Sequence, residues 1–222
     1  MAYKTCVSIA ESSPSRLAST LKKALQKSDY AELRLDFLKP AQVPEVLEKT
    51  KRYHKRCVCT LRPKPEGGRF SGTENERISI LKLISEYNPY MIDIEYSTLS
   101  KNKSLLNYVK KTKTKILVSW HDFKKTPSTA QLLQRLQNMQ RLSKYVKIVT
   151  TANSIKDTAS VLSLYRKQDP NLIAFAMGDY GRISRILCMH LGSPYTYVSL
   201  GKPVAPGQFS VDEVKSLLAL QK

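Results

Sequence analysis

The sequence predicts an α/β fold, a (β/α)8 barrel of the TIM type in a single domain spanning residues 1–222, and three observations lead there. Eight short apolar, β-branched runs recur along the chain, amphipathic helix-like segments lie between and after them, and the first run is followed by no glycine-rich turn. Spread over the chain, each strand–helix unit takes roughly 28 residues, which suits a closed parallel sheet with helices outside it. An open doubly wound sheet is the alternative. It seldom needs eight units and usually places a glycine-rich phosphate turn after its first strand, whereas here that strand runs into Ala10-Glu11-Ser12-Ser13-Pro14.

The strand-like runs fall at 5–10, 31–38, 56–62, 91–97, 115–123, 145–152, 172–178 and 195–201, each rich in Val, Ile, Tyr or Cys and bounded by Gly, Pro, Ser or charge. The helix over Pro14–Lys27 follows the start signal Ser12-Ser13-Pro14 and puts Leu17, Leu21, Ala24 and Leu25 on one stripe. Residues 73–87 open with the capping-box pattern Thr73-Glu74-Asn75-Glu76 and carry Ile80, Leu83, Ile84 and Tyr87. Residues 127–143 carry Leu132, Leu133, Leu136 and Met139, and 210–220 carry Val214, Leu217 and Leu218 behind Ser210-Val211-Asp212-Glu213. Fainter helical patterns occupy 41–53, 101–111, 154–168 and 181–191.

Composition narrows the class. Hydrophobic residues at 41% and charged residues at 25% are globular values, and 222 residues bury a core without disulfide or metal staples. No apolar run approaches the roughly 18 residues of a membrane helix, and Cys6-Val7-Ser8-Ile9-Ala10 is too short for a signal-peptide core. The four cysteines have no secreted spacing, and Cys57-x-Cys59 lacks the second pair or nearby histidine that zinc needs. The expected location is the reducing cytoplasm. The unusual number is charge: 37 Lys and Arg against 18 Asp and Glu, or +19. Its densest runs, Lys51-Arg52-Tyr53-His54-Lys55-Arg56 and Lys110-Lys111-Thr112-Lys113-Thr114-Lys115, both precede strands. They therefore belong to the amino-terminal face of a barrel and are read as solvated surface, with no specific nucleic acid expected.

Function in a barrel sits at the carboxyl ends of the strands, and polar residues gather there. Glu32 and Arg34 share one face of strand two, Arg62 ends strand three ahead of Glu66-Gly67-Gly68, and Asp93 and Glu95 lie on strand four. His121 ends strand five, and Lys147 sits inside strand six on the face of Tyr145, Val149 and Thr151. A lysine on the helix-covered face would be buried without a partner at high cost, so Lys147 is expected to point inward. A structural ion network is the plainer interpretation, but barrel interiors are normally packed with Val, Ile and Leu. An inward lysine among arginines suggests an amine nucleophile. Free lysine titrates near 10.4, and desolvation with neighbouring cations biases such an amine toward its reactive neutral form. An imine with a carbonyl substrate is then an electron sink, and His121 is the natural general base.

Taken in order, Glu32-Leu33-Arg34-Leu35-Asp36, Thr60-Leu61-Arg62 with Glu66-Gly67-Gly68, Ile92-Asp93-Ile94-Glu95, Ser119-Trp120-His121-Asp122-Phe123 with Thr126-Pro127, Lys147-Ile148, Met177-Gly178 with Ile183-Ser184-Arg185, and Ala205-Pro206-Gly207-Gln208 resemble the type I 3-dehydroquinate dehydratases of the shikimate pathway. The resemblance runs from Val7-Ser8 nearly to the end. It implies a hydro-lyase acting without metal or other cofactor, which eliminates water from 3-dehydroquinate to give 3-dehydroshikimate. By that match Lys147 is the Schiff-base lysine, His121 moves the protons, and Glu66 and Asp93 hold the imidazole. Arg185 pairs with the substrate carboxylate and Gln208 lies in the lid after strand eight. Ser8, Glu32, Arg34 and Arg62 hold the ring hydroxyls, and Phe123, Phe175, Met177 and Tyr197 wall the pocket.

Three departures accompany the resemblance. Val204 stands where many members have Ser, Asp179 comes near the barrel mouth, and no N-terminal extension is expected to close the barrel bottom. Helices six to eight offer a surface for a homodimer. Two other function classes fit the bare residues: a class I aldolase, which also uses a strand-six lysine, and a basic module binding polyanions. The clamp of Arg62, Arg185 and Gln208 suits a ring carboxylate better than a sugar phosphate.

Overall fold

The computed structural model describes residues 3–167 and 169–219. They gather into two compact units, one from Ser8 to Val118 and the other joining the residues up to Val7 with those from Ser119 onward. In chain order the elements are β1 (Thr5–Ile9), α1 (Pro14–Lys27), β2 (Tyr30–Arg34), α2 (Val43–Thr50), β3 (Cys57–Thr60), α3 (Glu74–Glu86), β4 (Met91–Glu95), α4 (Tyr96–Lys101), α5 (Lys103–Lys111), β5 (Lys115–His121), α6 (Thr129–Gln140), β6 (Tyr145–Thr151), α7 (Ile155–Leu162), β7 (Leu172–Met177), α8 (Ser184–His190), β8 (Thr196–Val198) and α9 (Val211–Ala219).

In the first unit β2, β3 and β4 pair in parallel, with Arg34 opposite Thr60 and Thr60 opposite Asp93. That register brings the three carboxyl ends level, so polar residues two or three places apart in different strands face a common row. In the second unit β6 pairs with β7, Lys147 opposite Ile173 and Val149 opposite Phe175, and β8 pairs with β1, Tyr197 opposite Cys6. Helix α1 begins where expected because the Ser13 hydroxyl accepts from Arg16 N–H at 3.3 Å, and its stripe of Leu17, Leu21, Ala24 and Leu25 is buried. Full capping boxes open α6 (Ser128 with Gln131) and α7 (Ser154 with Asp157). Among the described residues no helix is long and apolar enough to cross a membrane.

Several boundaries differ from expectation. Strand two does not run to residue 38: it stops at Arg34, and Leu35–Phe37 makes a 3-10 turn, so Asp36 leaves the alternating series of Glu32 and Arg34. The strand-four run stops at Glu95 and Tyr96 already begins α4. The pattern over 41–53 divides into α2 and a 3-10 turn over Lys51–Arg56, which places the first basic run in regular structure. Its Arg56 is committed, donating to the carbonyls of Leu25, Ser28 and Asp29 at the end of α1. The pattern over 154–168 ends as α7 plus a 3-10 turn over Ser163–Lys167, with residue 168 outside the described residues, as is Leu220 of the last helix. Helix α3 is rotated from its expected face: Arg77, Leu81, Ile84 and Ser85 are buried, while Ile80 and Leu83 are half-buried. An arginine occupies a slot of the buried stripe, which a count of apolar residues passes over.

Leu21 is fully buried in α1, so Leu21→Ala is expected to cost about 2–5 kcal/mol. A urea denaturation series that shows less than about 1 kcal/mol would mean the stripe is loosely packed.

Candidate active site

The candidate residues divide between the two units. In the first, Glu32 on β2 is a shared acceptor: one carboxylate oxygen takes the Ser8 hydroxyl and the other the Thr60 hydroxyl, both at 2.9 Å. Arg34, at the strand end, forks onto Asp36 with bonds of 2.9 and 2.8 Å. Burial works against this cation, but the hydrogen bonds and charge of Asp36 outweigh it and raise its pKa. Arg62, just past β3, donates to Asp93 at 2.7 Å and to Glu95 at 2.8 Å, both buried on β4. Desolvation is again the largest influence on Arg62. Asp93, Glu95 and Glu32 together exceed it, so Arg62 remains a cation under all ordinary conditions.

Glu66 sits in a turn that the chain can make only with glycine. Gly67 adopts φ 74°, and a Cβ on Gly68 would lie 2.0 Å from the Arg62 carbonyl oxygen. The loop therefore folds back on Arg62, with Gly68 N–H on Pro63 O and Phe70 N–H on Arg62 O. Glu66 accepts the Ser97 hydroxyl at 2.8 Å. Its pKa is raised, first by burial and then by the charges of Glu95 and Asp93, against the opposing pull of Ser97 and Arg62.

In the second unit Lys147 is buried on β6 with its Nζ 4.3 Å from the centre of the Tyr197 ring on β8. Tyr197 tilts against Phe175 on β7 at 6.3 Å, and the Arg185 guanidinium lies 4.3 Å over Phe175. One Arg185 nitrogen donates to Pro206 O at 3.1 Å. Its Nε finds no acceptor, and Arg185 has no ion pair among the described residues. Burial alone is enough to pull its pKa down to about 10. Gln208 is buried and accepts the Val204 N–H at 2.9 Å, so Val204 supplies its backbone where a serine would add a hydroxyl. Met177 ends β7 and is buried.

His121 is carried at the end of β5, and that end is pinned to β6 by the Asp122 N–H on Val149 O at 2.9 Å and the Thr151 hydroxyl on Asp122 O at 3.0 Å. The imidazole-bearing and amine-bearing strands are thus tied together two residues beyond Lys147. Phe123 stacks on His121 at 5.8 Å and 12°, and is 49% exposed.

Sequence reasoning named Ser8, Glu32 and Arg62 for the ring hydroxyls and Asp93 for the imidazole; the structure joins Ser8 to Glu32 and Arg62 to Asp93. Sequence reasoning missed Thr60, Glu95 and Arg77 as members of these groups. Thr60 was visible as a hydroxyl at a strand end, and Arg77 only as an arginine four residues before Leu81 and seven before Ile84.

Residues 5–222 match the family described as Type I 3-dehydroquinase. The chain is 35% identical over 218 residues to the 3-dehydroquinate dehydratase of Methanocaldococcus jannaschii, covering 97% of each. It is similar to the crystal structure of the type I 3-dehydroquinate dehydratase of Clostridium difficile with covalently modified comenic acid, with a TM-score of 0.89 at 28% identity over 99% of this chain and 92% of that one. It is also similar in fold to the 3-dehydroquinate dehydratase of Geobacillus kaustophilus, TM-score 0.90 at 21% identity, covering 99% and 91%. These likenesses bear out the eight-stranded parallel (β/α)8 barrel.

Arg185 yields a stability prediction. Its folded pKa lies below the ordinary arginine value, so the unfolded chain holds this proton more firmly. The penalty is in force below about pH 10 and lifts as the pH rises from there toward the ordinary arginine value, and it amounts to roughly 3 kcal/mol. Arg185→Met is therefore expected to unfold at equal or higher urea than the parent at pH 7. An unfolding free energy lower than the parent's by more than about 1 kcal/mol would show the cation to be compensated.

Proposed function

Because the chain belongs to the type I 3-dehydroquinase family, we infer that it is a hydro-lyase converting 3-dehydroquinate to 3-dehydroshikimate in aromatic amino acid (chorismate) biosynthesis, by way of an imine on Lys147. The observation that carries the choice of nucleophile is a buried amine on β6 facing an aromatic ring, beside the strand that ends in His121. A family match over the whole chain favours neither an aldolase nor a polyanion-binding module.

In this reading the Lys147 amine adds to the substrate ketone, and loss of water leaves a protonated imine that draws electrons from the neighbouring C–H bond. His121 takes that proton, the electron pair moves into an enamine, and the β-hydroxyl departs as water with the proton the imidazole returns. Hydrolysis of the imine frees the conjugated enone and restores the amine. The Tyr197 face favours a cationic nitrogen, which suits the protonated imine. Arg185 receives the substrate carboxylate, because a buried guanidinium with an unmet N–H and no ion pair among the described residues is a receptor for an anion. Gln208 closes the same end from the lid. Ser8, Glu32, Arg34 and Arg62 hold the ring hydroxyls, Met177 lines the pocket, and Glu66 and Asp93 orient the imidazole. Asp93 already carries Arg62, so Glu66 with its raised pKa is the stronger candidate for proton handling.

We further propose one cytoplasmic catalytic domain over 1–222 that pairs as a homodimer. Leu187 on α8 and its cap residues Ile183 and Leu191 lie four residues apart, and with Tyr180 each is at least 38% exposed. Leu187→Lys is expected to convert a sedimenting dimer to a monomer, and a parent that sediments as a monomer at tens of micromolar would discard the pairing.

Incubation with 3-dehydroquinate is expected to produce rising enone absorbance, and its absence with folded protein would overturn the reaction. Borohydride added during turnover should place product mass on the peptide containing Lys147 and nowhere else, and Lys147→Ala should leave nothing to trap. His121→Ala should still trap the imine while turnover falls about 10²–10⁴-fold. Parent-like turnover would remove His121 from the chemistry.

A further inference from the structure

Helix α3 places a fully buried arginine, Arg77, behind the strand ends of its unit, and every one of its five N–H groups is matched. Nε and one Nη2 hydrogen fork onto Glu74 at 2.9 Å each, and the second Nη2 hydrogen goes to the Thr98 hydroxyl. Nη1 donates to Glu95 at 2.7 Å and to the Leu61 carbonyl at 3.3 Å. Glu95 divides its oxygens, one on Arg77 and the other on Arg62, and Arg62 reaches on to Asp93. The result is a line of alternating charges, Glu74–Arg77–Glu95–Arg62–Asp93, of which only Glu74 meets solvent.

From this we propose that Arg77 is a positioning residue for the reaction, acting on Arg62 through Glu95. The proposal rests on the reading of Arg62 as a group that holds the substrate's ring hydroxyls. Glu95 with Arg62 alone could rotate about its last side-chain bonds. With its second oxygen held by an arginine that is itself fixed at four acceptors, the carboxylate has one orientation, and so does the guanidinium it grips. Stability gives little reason to keep such a line, since apolar residues of similar volume usually serve a buried site as well or better. Orientation gives a reason, because a binding group displaced by about 1 Å loses much of its effect. The Leu61 carbonyl adds to it, as Arg77 also grips the backbone one residue before Arg62.

The test is a double-mutant cycle in the full chain, read as KM and kcat for 3-dehydroquinate well below the unfolding temperature. Arg77→Lys keeps one charge on Glu95 and loses the fork. It is expected to raise KM about tenfold with kcat within about threefold, a split that general loosening of the fold would not produce. Arg62→Lys should raise KM at least as much, and the double variant should be no worse than Arg62→Lys alone, because Arg77 acts only through Arg62. An unchanged KM in Arg77→Lys, or KM factors that multiply in the double variant, would overturn the proposal while leaving Arg62 in place. An unchanged KM in Arg62→Lys would remove Arg62 from substrate binding and the proposal with it. Should Arg77→Lys not fold, Glu95→Gln, which keeps the shape and drops the charge between the arginines, must show the same split, and parent-like kinetics there would count against the proposal.

Discussion

The candidate site residues are governed by the cost of keeping a charge away from water. The two units meet that cost differently. In the first, the arginines at and behind the strand ends are answered by carboxylates: Arg34 by Asp36, Arg62 by Asp93 and Glu95, Arg77 by Glu74 and Glu95. In the second, Arg185 is laid against the face of Phe175 and has no ion pair among the described residues. An aromatic face partly stabilises a cation but does not neutralise it. The first arrangement makes rigid, saturated donors with fixed directions. The second leaves the Arg185 guanidinium with an unmet N–H.

The polypeptide reaches these arrangements by ordinary means. Parallel register sets Arg34, Thr60 and Asp93 in a row, so that residues far apart in sequence need only short side chains to meet. The turn after β3 presses Gly68 against the Arg62 carbonyl and leaves Glu66 at its tip. The clip between Asp122 and Val149 fixes the end of β5 against β6. None of these features is chemical in itself, yet each decides where a reactive group stands.

Much of the candidate site was legible before the fold. Lys147 betrayed itself as a charge in the middle of an apolar strand, and Arg62, Asp93 and His121 as polar residues where strands end. Arg77 was not legible in that way. It lies in a helix whose apolar residues, read alone, point to a face through Ile80 and Leu83, and its carboxylate partner Glu95 is 18 residues away. Asp36 was misread in the other direction, as a further residue of strand two, because a 3-10 turn that follows a strand without glycine or proline leaves no local mark.

By itself the sequence determined the kind and order of the elements, because strand and helix periods are local properties of side-chain alternation and need no partner to be seen. It also determined which side chains carry charge into the apolar runs. Only the tertiary structure decided which opposite charge each one meets, which of them is left facing a ring, and where a strand stops. Those outcomes depend on distances of a few ångströms between atoms separated by tens of residues, and no local pattern encodes them.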